Sequence, residues 1–384
     1  MALPTSIAAL AQGRISHLLR EVTQEIEERP RFFQSQIAEP MALENEVFMF
    51  TGQKVVAADI IQLDQKSVMR RATDTYRIAS TTVPKFKHGF PIEEHMIVLM
   101  SRIAQGLCTH QEIAQFDNYV ANHLRWLVEG IHDRKELVYS QLFINSGTYD
   151  RLGIMFQNFN WGVQDANLSP TALAGAAQWT MANVATATPI ANLRALLDYA
   201  RRTYSIRYDT LKIDETLFNV VVSTTEFQAL APTYAAMILG TVSAGQINAT
   251  FLKGLTWQVK TAVLGAILGV NVVLNTPYKP ATQIQANDGS MTSTAFWDPT
   301  YICLYDSTIF DGGVDFANTT VIETMAGLVP LMLGTDFPMP MEGPVAYATA
   351  SDPHGDPPGE ILWAVQRGWP RLNNYAKKVA LKVY

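Results

Sequence analysis

The stretch THQEIAQFDNYVANHLRWLVEGIHDRKELVYSQLFIN, residues 109–145, decides the fold. Apolar residues recur in it every three, four or seven positions, which is the spacing of one face of an α-helix: Phe116, Val120, Leu124, Leu127, Ile131, Val138 and Leu142. A helix rises 1.5 Å per residue, so these 37 residues span about 55 Å. That length exceeds the width of a small compact domain, and it predicts an elongated subunit built along one helix.

The segment before this helix, residues 47–90, is typical of β structure without a core of its own. Its runs 47–50, 55–56, 60–63 and 76–83 are rich in strand-forming residues. From Lys54 to Lys87 there are seven Lys and Arg and three Asp, a net charge of +4 in a chain of net charge -6. A two-stranded ribbon is marginally stable alone, so we expect this one to lie on a neighbouring surface.

The remaining segments divide into an arm, an α/β region and a β tail. Residues 1–46 predict an amphipathic helix that Pro30 ends, and therefore an arm. Pro91, followed by Glu93 and Glu94, predicts a short helix over residues 92–103. Further helices are predicted over 191–202, 225–230 and 256–268, strands over 218–222, 270–274 and 300–304, and tail strands over 361–365 and 379–383 around a Gly368-Trp369-Pro370 turn.

Composition excludes several classes of protein. Of the 384 residues, 48% are hydrophobic and only 17% charged, which excludes global disorder and indicates that a partner covers part of the surface. A net charge of -6 argues against a protein that coats nucleic acid. The most apolar run, residues 262–274, is shorter than the roughly 20 residues of a membrane span, and no signal peptide is visible. Cys108 and Cys303 are expected to be buried free thiols in a reducing cytoplasm.

No catalytic, cofactor or metal site is predicted. The sequence contains no phosphate-binding glycine loop, zinc-protease motif, CxxC pair or nucleophile elbow. His123 and His132 are nine positions apart, which is not the spacing of a helical metal pair, and each is expected on the helix surface or packed. Glu93, Glu94 and His95 are consecutive helical residues that point in different directions. The loop from Asp352 to Asp356 has weak cation-binding character.

Five stretches carry a resemblance to one family. They are 83–92 (VPKFKHGFPI), 132–147 at the end of the long helix, 159–162 (FNWG) with Trp179 and 188–193 (TPIANL), 218–227 (FNVVVSTTEF) and 379–383. In this order they resemble the major capsid proteins of tailed phages (Caudoviricetes) with the Hong Kong 97-type fold, close to the lambda-like major head proteins. Asn192 stands where members often have Asp, and we interpret that position as structural.

The resemblance implies an α+β fold with five segments. These are an N-terminal arm (1–46), an extended β-ribbon loop (47–90), a P domain with a spine helix (91–174), an A domain (175–352) and closing P-domain strands (353–384). It implies a non-enzymatic subunit that self-assembles into pentamers and hexamers of an icosahedral shell around double-stranded DNA, without sequence-specific binding. The expected location is the virion capsid, assembled in the bacterial host cytoplasm.

The expected partners are other copies of the chain, a separate scaffolding protein because the arm is short, a portal and a decoration protein. The expected contact between copies is the basic ribbon, through Lys66, Arg70, Arg71, Arg77, Lys85 and Lys87. Two alternatives stay open: an encapsulin-like shell around a cargo protein, and an α/β enzyme with its site in residues 175–350. Electron microscopy of purified particles and their DNA content would distinguish them.

Overall fold

The computed structural model of the protein describes residues 6–29, 31, 46–49, 79–82, 85–144, 148–149, 159–160, 172–240, 243–275, 281–285, 290–310, 322–327, 329–331, 339–341, 345–352, 359–372 and 375–384. The chain forms two compact units. The first comprises residues 1–47, 80–138 and 324–370, and the second comprises residues 48–79, 139–323 and 371–384. The five predicted segment boundaries stay predictions, because each unit is assembled from three separate stretches of the chain that do not correspond to those segments.

The helices are α1 (Ser6–Glu27), α2 (Glu94–Ala104), α3 (His110–Ile144), α4 (Pro189–Tyr204), α5 (Glu215–Ser223), α6 (Thr225–Leu239), α7 (Ala249–Gly254) and α8 (Trp257–Leu268). The strands are β1 (Glu46–Met49), β2 (Ala79–Thr82), β3 (Lys85–Ile92), β4 (Thr148–Tyr149), β5 (Phe159–Asn160), β6 (Thr210–Asp214), β7 (Asn271–Asn275), β8 (Ala281–Gln285), β9 (Met291–Ala295), β10 (Tyr301–Tyr305), β11 (Ile322–Gly327), β12 (Val329–Leu331), β13 (Met339–Met341), β14 (Val345–Asp352), β15 (Gly359–Leu372) and β16 (Lys378–Lys382). Among the described residues, no helix is long and apolar enough to cross a membrane.

The long helix α3 begins at a capping box. The backbone N–H of Thr109 donates to Glu112 Oε2 at 2.8 Å, and the N–H of Glu112 donates to Thr109 Oγ1 at 3.3 Å. This reciprocal pair satisfies N–H groups that have no partner within the helix. The helix then continues without a break to Ile144, which confirms the predicted long helix.

The core of the first unit follows the apolar face of α3. Phe116, Val120, Leu124, Leu127 and Ile131 are all buried there, at most 3% exposed. They pack in one cluster with residues of α1, α2, β3 and β15: Leu19, Val22, Ile26, Met100, Ile92, Leu362 and Ala364. The predicted core face is therefore confirmed. An ion pair from Arg125 to Glu25 (2.8 Å) joins α3 to α1, and a second one from Arg29, just after α1, to Glu129 (3.1 Å) joins the end of this segment to α3.

The main sheet of the first unit has the order β11-β15-β14, and β3 also pairs with β15. The pairing of β3 with β15 is antiparallel and runs from Lys85 opposite Arg367 to Ile92 opposite Glu360. Because strand side chains alternate between faces, Phe86, His88 and Phe90 share one face of β3. The Phe90 ring lies 3.9 Å from the His123 ring, so this face is turned towards α3.

The sheet of the second unit has the order β16-β10-β6-β7, with β6 and β7 parallel and the other two pairs antiparallel. One face carries Leu211, Ile213, Ile302, Leu304, Val379 and Leu381, which join a core built with α4, α5, α6 and α8. Cys303 pairs with Lys212 on one side and Ala380 on the other, so these residues share the opposite face. Tyr305 on that face contacts the ring of Phe143, near the end of α3, at 5.7 Å.

Four predictions about local structure differ from the structure. Residues 218–222 are not a strand but lie in α5, because Asp214 caps that helix through Thr216 N–H at 2.9 Å and burial of one face overrides the strand propensity of Val220 and Val221. The helix predicted over 225–230 continues to Leu239 with Pro232 inside it.

Gly368, Trp369 and Pro370 lie within β15 and make no turn. The two tail strands therefore do not form a hairpin: β15 pairs with β3 and β14, whereas β16 pairs with β10. Pro91 also lies in β3, and the short helix begins later, at Glu94. The predicted helices and strands over 191–202, 256–268, 270–274 and 300–304 are confirmed within a few residues.

Replacing Leu127 with Asp should destabilise the protein strongly. The side chain is 2% exposed among apolar neighbours, so a carboxylate there would be desolvated at a cost of about 3–5 kcal/mol in the free energy of unfolding. Urea unfolding followed by circular dichroism measures this loss. Asn122→Asp, at an exposed position of the same helix, is the control and should leave the midpoint within the error. A Leu127→Asp variant that unfolds like the parent would contradict the assignment of the core face.

Candidate functional site

The predicted contact residues of the basic ribbon are only partly described. Lys66, Arg70, Arg71 and Arg77 lie outside the described residues, as does the side chain of Lys85. The pairing of β1 with β2 supplies the two strands at the base of the ribbon. Lys87, in β3, is described in full, so the structure shows how the end of the ribbon is attached. The contact between copies that was predicted for these basic residues stays a prediction.

The root of the ribbon is fixed by a lysine, a tryptophan and a glycine. The ammonium group of Lys87 lies 3.5 Å from the ring centroid of Trp363, within the range of a cation–π interaction. Gly89 is paired directly opposite Trp363. A Cβ atom at position 89 would lie 2.2 Å from Cζ3 of that ring, so only glycine lets the indole lie against the strand. Lys87 is thus held on the body of the protein.

The other face of β3 makes a second close approach, to α3. A Cβ atom at Gly130 would lie 2.7 Å from His88 Nδ1. Glycine in the interior of a helix costs about 1 kcal/mol relative to alanine, and here it allows a strand to pack against the helix. The strand is therefore held tightly on both faces.

Five aromatic side chains form a continuous row on α3, β3 and α2: Phe90, His95, Tyr119, His123 and Trp126. We call this row the aromatic strip. The His123 ring lies 3.9 Å from Phe90, 4.2 Å from Tyr119 and 5.2 Å from Trp126. Positions 119, 123 and 126 recur at helical spacing, so they lie on one face of α3. The strip was not predicted from the sequence, although the spacing of these three positions indicates a second face of the helix.

The aromatic strip is ordered by hydrogen bonds and open to solvent. His123 Nδ1 lies 2.7 Å from the carbonyl oxygen of Tyr119, one turn earlier, which orients the imidazole. At the far end, His95 Nδ1 lies 3.2 Å from a carboxylate oxygen of Glu93. The prediction that these two side chains point in different directions is wrong, because Glu93 precedes α2 and has an extended backbone. Trp126 is 63% exposed, an unusual state for the largest apolar side chain. Such a surface can bind a partner that covers rings.

A different group of polar residues is sealed inside the second unit. Lys378 donates from Nζ to the carbonyl oxygens of Leu142 and, at 3.4 Å, Phe143. These carbonyls end α3 and have no partner within the helix, so a cation is favourable there. Desolvation nevertheless dominates and lowers the pKa of Lys378 to about 8, although the nearby Cys303 opposes this. Burial raises the pKa of the Cys303 thiol to about 12 and also raises that of Tyr305.

These buried groups do not form a site that a substrate could enter. Cys303, Lys212, Tyr305 and Lys378 are all at most 4% exposed. An open groove of about 400 Å³ between α8 and β7 is lined mostly by small residues such as Gly265 and Ala266. Its one carboxylate, Asp209, is held by Ser307 through N–H (2.8 Å) and Oγ (2.5 Å). That the protein is not an enzyme stays a prediction.

The other predicted chemical features have a structural role or lie outside the described residues. His132 is packed, and burial, with Lys135 and Arg31 nearby, lowers its pKa to about 3. Cys303 is a buried free thiol and Cys108 is a half-buried one. Within the described part of the chain, no group of three or more His, Cys, Asp or Glu side chains could hold a metal ion. Of the loop from Asp352 to Asp356, only Asp352 is described.

Comparison with known proteins gives a likeness of fold. No family model and no curated protein matches the chain. Among solved structures, it is similar to a protein assigned as the capsid protein of a prophage of E. coli CFT073, with 12% identity, 97% of this chain and 99% of that chain covered, and a TM-score of 0.52. A phage-related protein from Bordetella bronchiseptica RB50 has 10% identity, 94% and 96% coverage and a TM-score of 0.46.

A virus-like particle from Pyrococcus furiosus has 11% identity, 95% and 98% coverage and a TM-score of 0.40. The likeness to the E. coli prophage protein has a TM-score above 0.5, and it shows a common fold over nearly the whole length of both chains. The predicted α+β class and the predicted resemblance to phage capsid proteins are therefore confirmed at the level of the fold.

The buried Lys378 predicts a stability that rises with pH. Because its pKa is lowered to about 8 in the folded protein, the unfolded chain holds more protons between about pH 8 and pH 10.5. The free energy of unfolding should then rise over this range, by about 2–3 kcal/mol from this residue. The raised pKa values of Cys303 and Tyr305 act in the opposite direction in every variant, so the test is a difference. Between pH 7 and pH 10, denaturant unfolding should show that the parent gains stability relative to Lys378→Met. The exposed Lys253→Met is the control and should behave like the parent. Equal changes in all three proteins would contradict this role of Lys378.

Proposed function

We propose that this chain is the major capsid protein of a tailed bacteriophage, with the Hong Kong 97-type fold. The observation that carries the proposal is the fold shared with the E. coli prophage capsid protein over 97% of the chain. In this proposal the chain assembles into pentamers and hexamers of an icosahedral shell, located in the virion and assembled in the cytoplasm of the bacterial host. No step of this role requires a catalytic residue or a cofactor.

The physical properties of the subunit support a shell. Its charged share of 17% is below the roughly 25% of ordinary soluble proteins, so its surface favours burial against other proteins. Large apolar side chains are exposed in both units, among them Trp126 at 63% and Met237 at 75%. A net charge of -6 suits an inner wall from which double-stranded DNA must be released, because strong phosphate contacts would oppose ejection.

The proposed partners follow from this role. Copies of the chain contact one another, and a separate scaffolding protein, a portal and a decoration protein complete the particle. Cryo-electron microscopy of particles purified from cells that express the chain tests the proposal. Icosahedral shells are expected. A chain that stays monomeric, alone and with its scaffolding protein, would overturn the proposal. Shells that enclose a protein cargo in infected cells, and no DNA, would favour the encapsulin-like alternative.

Changing Arg70 and Arg71 together to Glu should weaken assembly and leave the fold intact. The ribbon carries a net charge of +4, and exposed ion pairs contribute about 0.2–1 kcal/mol each. A shell repeats each contact at many positions, so small losses accumulate. Sedimentation should show a higher concentration for assembly at low salt and partial recovery at high salt, as repulsion is screened. Circular dichroism should show an unchanged fold.

The matched control for this prediction is Arg201→Glu with Arg202→Glu. These are also adjacent arginines, exposed at the end of α4, and their replacement changes the total charge by the same amount. The control should assemble at the concentration of the parent. Normal assembly of the Arg70→Glu, Arg71→Glu protein at low salt, or loss of its subunit fold, would show that the ribbon does not make the contact between copies.

A further inference from the structure

One charged turn of α3 supports an inference beyond the shell role. Residues 132–136 include four ionisable side chains that are only 3–6% exposed: His132, Asp133, Lys135 and Glu136. Charged side chains are almost never buried to this extent unless other charges are paired with them. The shell role proposed above makes no use of this buried turn.

Arg31, just after α1, reaches this turn from another element. Its guanidinium lies 3.9 Å from a carboxylate oxygen of Asp133, and the two side chains are 11% and 6% exposed. The guanidinium also donates to the carbonyl oxygen of Ile26 at 2.9 Å. This carbonyl belongs to the last turn of α1, where a cation is favourable. The same side chain therefore joins the end of α1 to α3.

The described charges around this turn balance as long as His132 is neutral. Three acidic side chains face three basic ones: Glu129, Asp133 and Glu136 against Arg29, Arg31 and Lys135. Burial lowers the pKa of Arg31 although these carboxylates oppose the shift, so a further cation is unfavourable here. A proton on His132 would add such a cation next to Lys135 and Arg31.

His132 differs from the other histidines in its burial. Of the described histidines, it alone is buried. The further titratable or charged groups on α1, α3 and β3 are His17 with Glu21, Glu25 with Arg125, His123, and His88 near Arg134. Carboxyl groups ordinarily titrate near about pH 4, so a change from pH 7 to pH 5 acts mainly on histidines.

The end of α1 is the part of this contact that can give way. His132 lies inside a helix of 35 residues whose apolar face is buried, so its imidazole cannot reach water by moving alone. Arg31 belongs to the N-terminal segment, and its ion pair with Asp133 is long, at 3.9 Å. Moving Arg31 away relieves the repulsion and admits water to the imidazolium. It also removes the cation from the end of α1, which then frays.

We propose that His132 is an acid sensor whose protonation releases Arg31, and with it the last turn of α1, from α3. At neutral pH the imidazole is uncharged and the N-terminal segment stays on the first unit. In mild acid the end of this segment opens. The inference concerns the single chain and does not require that copies assemble, so it can stand or fall independently of the proposed function.

The size of the response follows from the protons that the two forms bind. Burial, with Lys135 and Arg31 nearby, lowers the pKa of His132 to about 3 in the closed form, whereas an exposed histidine has a pKa of about 6.5. The open form therefore binds more protons between these values, and the closed form loses stability as the pH falls below about 6.5. From pH 7 to pH 5, the ratio of open to closed chains should rise roughly 25-fold.

Hydrogen exchange measured by mass spectrometry on the full-length chain tests the proposal. The reporters are the amides of Glu28 and Arg29, which donate to the carbonyls of Gln24 and Ile26 in the closed form. After correction for the intrinsic effect of pH, protection over residues 20–29 should fall roughly 25-fold from pH 7 to pH 5 in the parent. It should not fall in His132→Gln, because glutamine does not titrate.

The matched control is His110→Gln, at an exposed position at the start of the same helix, and it should respond like the parent. Peptides from α8 in the second unit should keep their protection in all three proteins. A parent that keeps its protection over residues 20–29 at pH 5, or a His132→Gln variant that loses it as the parent does, would overturn the proposal.

A second measurement needs no variant. The seven histidines of the parent are labelled with ¹³C at Cε1 and titrated by NMR. One signal should stay at its neutral position below pH 5 until the segment opens, while the signals of exposed histidines move near about pH 6.5. If all seven signals titrate together near this pH and protection over residues 20–29 is unchanged, the acid sensor does not exist.

Discussion

The burial of one long helix is the constraint on which the rest of the structure depends. The 35 residues of α3 need apolar cover along their length, and no single small core can supply it. Residues 110–138 are covered by α1, α2, β3 and β15, and residues 139–144 lie under the sheet of β16, β10, β6 and β7. Within each unit, elements that are distant in the sequence are thus brought together because they cover the same part of this helix.

Both ends of α3 have backbone groups without a partner within the helix, and these groups are satisfied differently at the two ends. At the start, Thr109 and Glu112 satisfy backbone N–H groups at the surface, where a local sequence motif is enough. At the end, the carbonyls of Leu142 and Phe143 are buried, and they receive the ammonium group of Lys378, 236 residues after Leu142. A buried cation at this place costs desolvation, as its lowered pKa shows.

The sequence predicted those elements whose signals are local and lacked the information for the others. The start and length of α3 were readable because a capping box and a regular apolar spacing agree. The segment Phe218–Val222 was misread as a strand because its β-branched residues favour one, while the cap at Asp214 and the burial of Leu217 and Val221 favour a helix. Pro370 suggested a turn because proline is rare inside strands. Its actual position within β15 depends on the pairing of that strand, which the local sequence does not indicate.

The candidate site shows the same division between local and distant signals. The charge of the ribbon was readable from composition alone, and the periodic spacing of Tyr119, His123 and Trp126 could have been read as a second face of α3. The contribution of Phe90 could not, because it depends on how β3 packs against that helix. The stacking of Lys87 on Trp363 depends on a register that joins residues far apart in the chain.

The position of β16 has a consequence for the order of events during synthesis. This strand pairs along its length with β10, and its residues Val379 and Leu381 close the core of the second unit. It is also the last of the described elements to leave the ribosome. A nascent chain therefore exposes one edge of β10 and an unfinished core until translation has passed residue 382. The second unit can complete its core only after its final strand has been synthesised, so it cannot fold segment by segment as the chain emerges.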